Sequence, residues 1–301
     1  MNAPKSQNSF DISAAACSSS QKIRTEALEA FLAIHDQSKG DAALKLLQTP
    51  YKDLSEAILQ ACTSDIVNTD SFRNALIAAL PEVKSSENDN YRQLFLVLLQ
   101  RLEKPLERSL ADFCLEALHA KSNDVRYQAF CVAELNNESS PDYIDFVRTS
   151  LNDGDEDIRI VAIQAVERLR PEWGTSALSQ RAGKAIDTEA CHLFITLLKI
   201  CTEAERPLYS EKLLPYLEDD RFSFTTLQVL AERGTADAVP HILPIAKSFF
   251  SEPTVRVTAA FTAAKLGSDE GMNILKKLSE SRHGNPTYAK QLLAELPKTA
   301  T

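Results

Sequence analysis

The chain has 301 residues, a formal net charge of −9 from 33 basic against 42 acidic side chains, and only 8 glycines, 13 prolines and 7% aromatic residues. Such a length exceeds one compact core and implies two domains or an array that grows by adding units, while sparse punctuation and recurrent Ala, Leu and Glu select helices over strands. The acidic balance without a basic run argues against a nucleic-acid partner, and no stretch approaches the ~20 apolar residues of a membrane span.

Residues 1–18 are expected to form a disordered tail ahead of a single repeat domain over 19–301. Ala14-Ala15-Ala16-Cys17 loosely resembles a lipoprotein cleavage site, but Asp11 and Ser13 interrupt the apolar stretch of about 7 to 15 residues that such a signal needs. The expected location is therefore the cytoplasm.

Further along, Asn88 and Asn123 stand where side-chain oxygens would cap helix N-termini. Three later segments share one pattern: Asp124-Val125-Arg126-Tyr127-Gln128-Ala129, Asp157-Ile158-Arg159-Ile160-Val161-Ala162 and Thr254-Val255-Arg256-Val257-Thr258-Ala259. Their β-branched residues lie 33 and then 97 positions apart, the second interval holding three units of about 32. The period predicts further helix starts at Asp155, Asp187 and Asp220 as caps and at Pro253 and Pro286, where a missing amide does no harm. A second amphipathic segment precedes each start: 141–151 before 155–169, 206–218 before 221–233, 237–250 before 253–266, and 269–282 before 286–296. Each unit is thus a helical hairpin.

On a helical wheel, Ile158, Val161, Ala162, Ala165, Val166 and Leu169 cover a face wider than one partner helix can bury, so neighbouring hairpins must share their cores. Ala129, Ala162 and Ala259 would let helices approach closely. The motif, a β-branched residue, then Arg, with Ala four positions after the first, resembles the second helix of HEAT repeats. The resemblance covers 105–170 and 236–282 best. It implies an all-α fold, an α-α superhelix (solenoid) of about eight hairpins, in which the second helices line a concave face. The family often sets an Asp six residues before the Arg, and only Asp153 before Arg159 fits. Tetratricopeptide and ankyrin signatures are missing.

Carried through the repeat register, the face opposite the core runs along Tyr127, Phe130 and Glu134, then Ile160, Ile163 and Glu167, then His192, Ile195 and Lys199, then Thr225, Gln228 and Glu232, then Val257 and Phe261. Two readings stand. An apolar strip edged by Glu134, Glu167 and Glu232 would suit a protein or peptide partner, such as an amphipathic basic helix; alternatively, curvature or a one-residue register error buries these side chains between helices.

Nothing else reads as chemistry. The periodic Arg126, Arg159 and Arg256 suggest structural pairing with acids or carbonyls. Cys17, Cys62, Cys114, Cys131, Cys191 and Cys201 form no CxxC and are expected to be reduced and mostly buried. His35, His119, His192, His241 and His283 form no HxxxH or HExxH pair, so no metal, cofactor or acid-base centre is expected. Trp173 suggests a loop anchor. Among enzymes that resemble this architecture, deoxyhypusine hydroxylases require His-Glu pairs absent here, and HEAT-like DNA glycosylases require a basic, aromatic channel. Phycobilin lyases carry no simple signature and stay open. The expected function is a non-catalytic protein-interaction scaffold or adaptor, with a bilin-lyase-like enzyme or chromophore-handling chaperone as the alternative.

Overall fold

The computed structural model describes residues 11–34, 38–103, 105–137, 140–281 and 285–296. Among them every regular element is helical, with no strand, and no helix is long and apolar enough to cross a membrane. The chain divides into two compact units, residues up to Phe146 and residues from Val147 onward.

The first unit holds α1 (Ile12–Ala16), α2 (Gln21–Leu32), α3 (Lys39–Leu46), α4 (Lys52–Ala61), α5 (Ser64–Val67), α6 (Asp70–Ser85), α7 (Asp89–Gln100), α8 (Arg108–Ala117) and α9 (Asn123–Asn137). Four hairpins, α1 with α2, α3 with α4, α6 with α7 and α8 with α9, each pack on the next. First helices meet first helices and second helices meet second helices, which buries Phe31, Ile58, Phe95 and Phe130. Glycine suits the close approach of α3 to α6: a Cβ on Gly40 would stand a tight 3.1 Å from the Cα of Phe72.

Helix α10 (Pro141–Ser150) spans the division. The second unit holds α11 (Glu156–Leu169), α12 (Gly174–Ala182), α13 (Asp187–Ile200), α14 (Arg206–Leu213), α15 (Ser223–Arg233), α16 (Val239–Lys247), α17 (Pro253–Lys265), α18 (Asp269–Glu280) and α19 (Pro286–Glu295). Here α11, α13, α15, α17 and α19 pack in succession, each of the last four also against the helix before it. Helix α17 touches α15, α16, α18 and α19, and its residues from Val257 to Ala263 are all buried. Small side chains permit that enclosure; a Cβ on Gly271 of α18 would come within 2.7 Å of Ala263 Cβ.

Tertiary contacts stay local along the chain in both units. The long-range side-chain hydrogen bonds described join residues 28 to 42 positions apart, from Gln128–Gln100 to Arg101–Leu59. The alanines of the motif share one environment, with Ala129, Ala162 and Ala259 fully buried. A fourth copy, Ile23-Arg24-Thr25-Glu26-Ala27, opens α2 with Ala27 equally buried. Sequence reasoning missed it because the helices between it and α9 lack the motif.

Several caps form as expected. Asp155 accepts the amides of Asp157 and Ile158, Asn88 accepts that of Tyr91, and Pro253 and Pro286 open their helices. Others do not. Asp187 is the first residue of α13 with φ +45°, a conformation unable to present its carboxylate as an N-cap does, and Asp220 lies in a turn ahead of α15. Asn123 is the first helical residue of α9 and takes the Arg126 guanidinium, while Ser122 Oγ meets the Val125 amide at 3.5 Å.

The expected tail is helical over Ile12–Ala16, where Asp11 caps α1 and Ala16, 1% exposed, gives its carbonyl to the Thr49 hydroxyl; residues 1–10 lie outside the described residues. The segment expected to be helical over 237–250 ends at Lys247, because Ser248 Oγ accepts the amides of Phe250 and Ser251 and so turns the chain.

Candidate functional site

The residues predicted to face away from the core do not share one apolar surface. On α9, Phe130 is fully buried and packs edge-on against Tyr143 and Phe146, with ring centroids 5.7 and 5.4 Å apart. Tyr127 on the same helix is 39% exposed and Glu134 is half-buried. In the second unit Ile163, Ile195 and Phe261 are core, as is Val257, and Ile160 is half-buried. Buried side chains of this kind offer a partner no surface.

The polar members keep a layout set by the repeat. Glu167 of α11 receives Lys199 of α13 at 2.8 Å and the Thr196 hydroxyl at 3.5 Å. His192 is half-buried, edge-on to Phe222 at 6.5 Å, and burial holds its imidazole below the usual histidine range. Gln228 and Glu232 are exposed, together with Thr225. Their exposure reflects a register slip: the position equivalent to buried Ile163 and Ile195 is buried Leu227, 32 residues on rather than 33, and one residue turns a helix by about 100°.

Three of the four motif arginines, Arg24, Arg126 and Arg159, act on backbone. Arg24 Nη1 donates to the carbonyls of Ser18 and Ser19, Arg126 Nη1 to those of Ala120 and Lys121, and Arg159 Nη1 to that of Asp153, always five or six residues upstream. Each thereby fastens the turn before its own helix. Asp153 contributes a carbonyl to Arg159, whereas its carboxylate accepts the Asp155 amide. Arg159 also reaches Glu189 of α13, a carboxylate only 2% exposed, at 2.9 Å, and Arg181 of α12 grips the same carboxylate through two nitrogens. Burial raises the Glu189 pKa, but the hydrogen bonds from Arg181 and Arg159 outweigh it and hold the group below the usual carboxylate value. Spacing could not reveal this triad, since its three members come from three different helices.

The largest cavity described, about 1110 Å³ and open to solvent, is a groove bounded by the 3-10 turn Leu214–Leu217, α15, α16 and the start of α17. Leu217, Phe224, Ile245 and Val255 supply apolar lining, and Glu218, Asp220 and Glu252 bring carboxylates. His241 also lines it, and among the described residues no Lys or Arg does. At its edge lies Phe250, fully exposed beside Phe249, which is 83% exposed. Sequence reasoning passed over these two because it carried α16 through them; the Ser251-Glu252-Pro253 that follows was the available sign of a turn. A smaller cleft of about 230 Å³ gathers Arg148, Arg181 and Lys184 around Trp173, with the Arg148 guanidinium 5.7 Å from the indole.

Cys62, Cys114 and Cys191 are shielded by burial, whereas Cys17 is exposed. Burial pushes Cys62 and Cys191 up to about 11 and Cys114 up to about 12, which keeps them protonated and unreactive at neutral pH. Among the described residues no three His, Cys, Asp or Glu side chains gather so as to hold a metal ion. No family model and no curated protein matches the chain.

Proposed function

We propose that the protein is an interaction scaffold: an α-solenoid of HEAT-like hairpins that binds a partner protein and performs no chemistry of its own. The observation that carries this reading is the locality of its contacts. Hydrogen bonds that reach only about one hairpin along the chain are what an open-ended stack requires, and such a stack leaves long surfaces for a macromolecule. The motif alanines, buried alike in α2, α9, α11 and α17, support the repeat reading independently.

The test is capture. Full-length protein immobilised at near-physiological salt and exposed to extract of its native cell should retain a defined protein, eluted by competition with soluble scaffold. Retention of no macromolecule would end this reading, and an absorbance change on titration with a free bilin would favour the chromophore-handling alternative.

A further inference from the structure

Two adjacent phenylalanines in water are the least expected feature of this surface. Phe249 and Phe250 are not a frayed end. Ser248 Oγ holds the amides of Phe250 and Ser251 at 3.2 Å each, Glu252 caps α17 through the Val255 amide at 3.0 Å, and the Arg256 guanidinium lies 5.6 Å from the Phe249 ring centre. The turn is built, and it keeps Phe250 at the mouth of the groove.

The groove has one electrostatic character. Glu218, Asp220 and Glu252 line it, and among the described lining residues there is no Lys or Arg. The nearby cations are engaged elsewhere: Arg221 is bound twice by Asp219, and Lys247 is bound by Glu270 at 2.7 Å.

We propose that this groove docks a basic peptide segment of the partner protein. An apolar side chain of the segment packs against Phe250, Ile245 and Phe224, while its Lys or Arg residues meet Glu218, Asp220 and Glu252. A second copy of the chain, itself carrying a net charge of −9, is repelled from such a surface. The proposal rests on the scaffold reading and specifies the partner chemistry that reading leaves open.

Fluorescence polarisation on the full chain, with a fluorescein-labelled Lys–Leu amphipathic peptide and its Glu–Leu counterpart, tests it. The Lys–Leu peptide should bind and the Glu–Leu peptide should not. Phe250→Ser, and separately Glu218→Gln combined with Asp220→Asn, should each weaken binding at least about tenfold. These side chains are exposed, so circular dichroism should be unchanged. Equal binding of the two peptides, or unchanged affinity in both variants, overturns the proposal, as does concentration-dependent self-association that Phe250→Ser abolishes. If wild-type protein and both variants retain the same cellular partner equally, the groove is wrong and the scaffold stands; if the wild type retains nothing, the scaffold reading itself fails.

Discussion

Helices α11 and α17 open with the same motif and sit in different surroundings. Both bury the motif alanine completely, Ala162 in one and Ala259 in the other. Yet α11 keeps Glu156, Gln164 and Arg168 in water, whereas α17 is buried continuously from Val257 to Ala263 because four helices surround it. Their arginines differ as well. Arg159 joins a carbonyl and the buried Glu189, while the Arg256 guanidinium lies over Phe249 on the surface. Alanine recurs because close helix approach tolerates nothing larger; the worth of the arginine depends on what the local loop and the next hairpin put beside it.

The sharpest way to break this comparison is to remove the carboxylate. Glu189→Ala leaves Arg159 and Arg181 partly buried without their anion and should cost about 3 kcal/mol in urea unfolding, the low end for a broken buried pair because both arginines retain some access to water. A loss below about 1 kcal/mol would show the triad to be no more than a surface contact.

Overpacking comes next. Ala162→Leu and Ala259→Leu should each cost roughly 1 to 3 kcal/mol, with Ala259→Leu the more damaging because α17 has no open side to relax toward. Gly271→Ala probes the same enclosure from α18 and should fall within that range of roughly 1 to 3 kcal/mol, since the added Cβ meets Ala263. Equal thermal shifts for the two alanine variants would refute the difference drawn between the helices.

Acid titration of stability gives a smaller and differently shaped signal. Glu189 has a folded pKa below its ordinary value of 4.5, so its contribution is complete above that value and is lost as the pH falls from there through the lower folded pKa. Glu189→Gln should flatten this acid limb while leaving the slope near neutrality unchanged. The smallest effect is expected from Arg256→Ala, below about 1 kcal/mol, as for an exposed cation–π contact.

Much of the helix layout was legible from local rules. Capping oxygens at Asp155 and Asn88, prolines at the start of α17 and α19, and the hairpin order all follow from chemistry within a few residues. The candidate site was less legible. Of the strip, Phe130, Ile163, Ile195 and Phe261 went to the core, while the groove draws its residues from four elements and its most exposed side chains from a turn that a hydroxyl of Ser248 creates.

By itself, then, the chain of amino acids determined where several helices begin and which alanines mark close helix approaches. Tertiary packing decided which faces remain in water: how many neighbours enclose α17, how α15 turns Leu227 inward and Gln228 outward, and how Glu189 is drawn between two arginines. The reason is geometric. Hydrogen bonding within a helix depends on residues three or four apart, but burial depends on a neighbour about thirty positions away, and a shift of one residue there rotates the exposed face by about 100°.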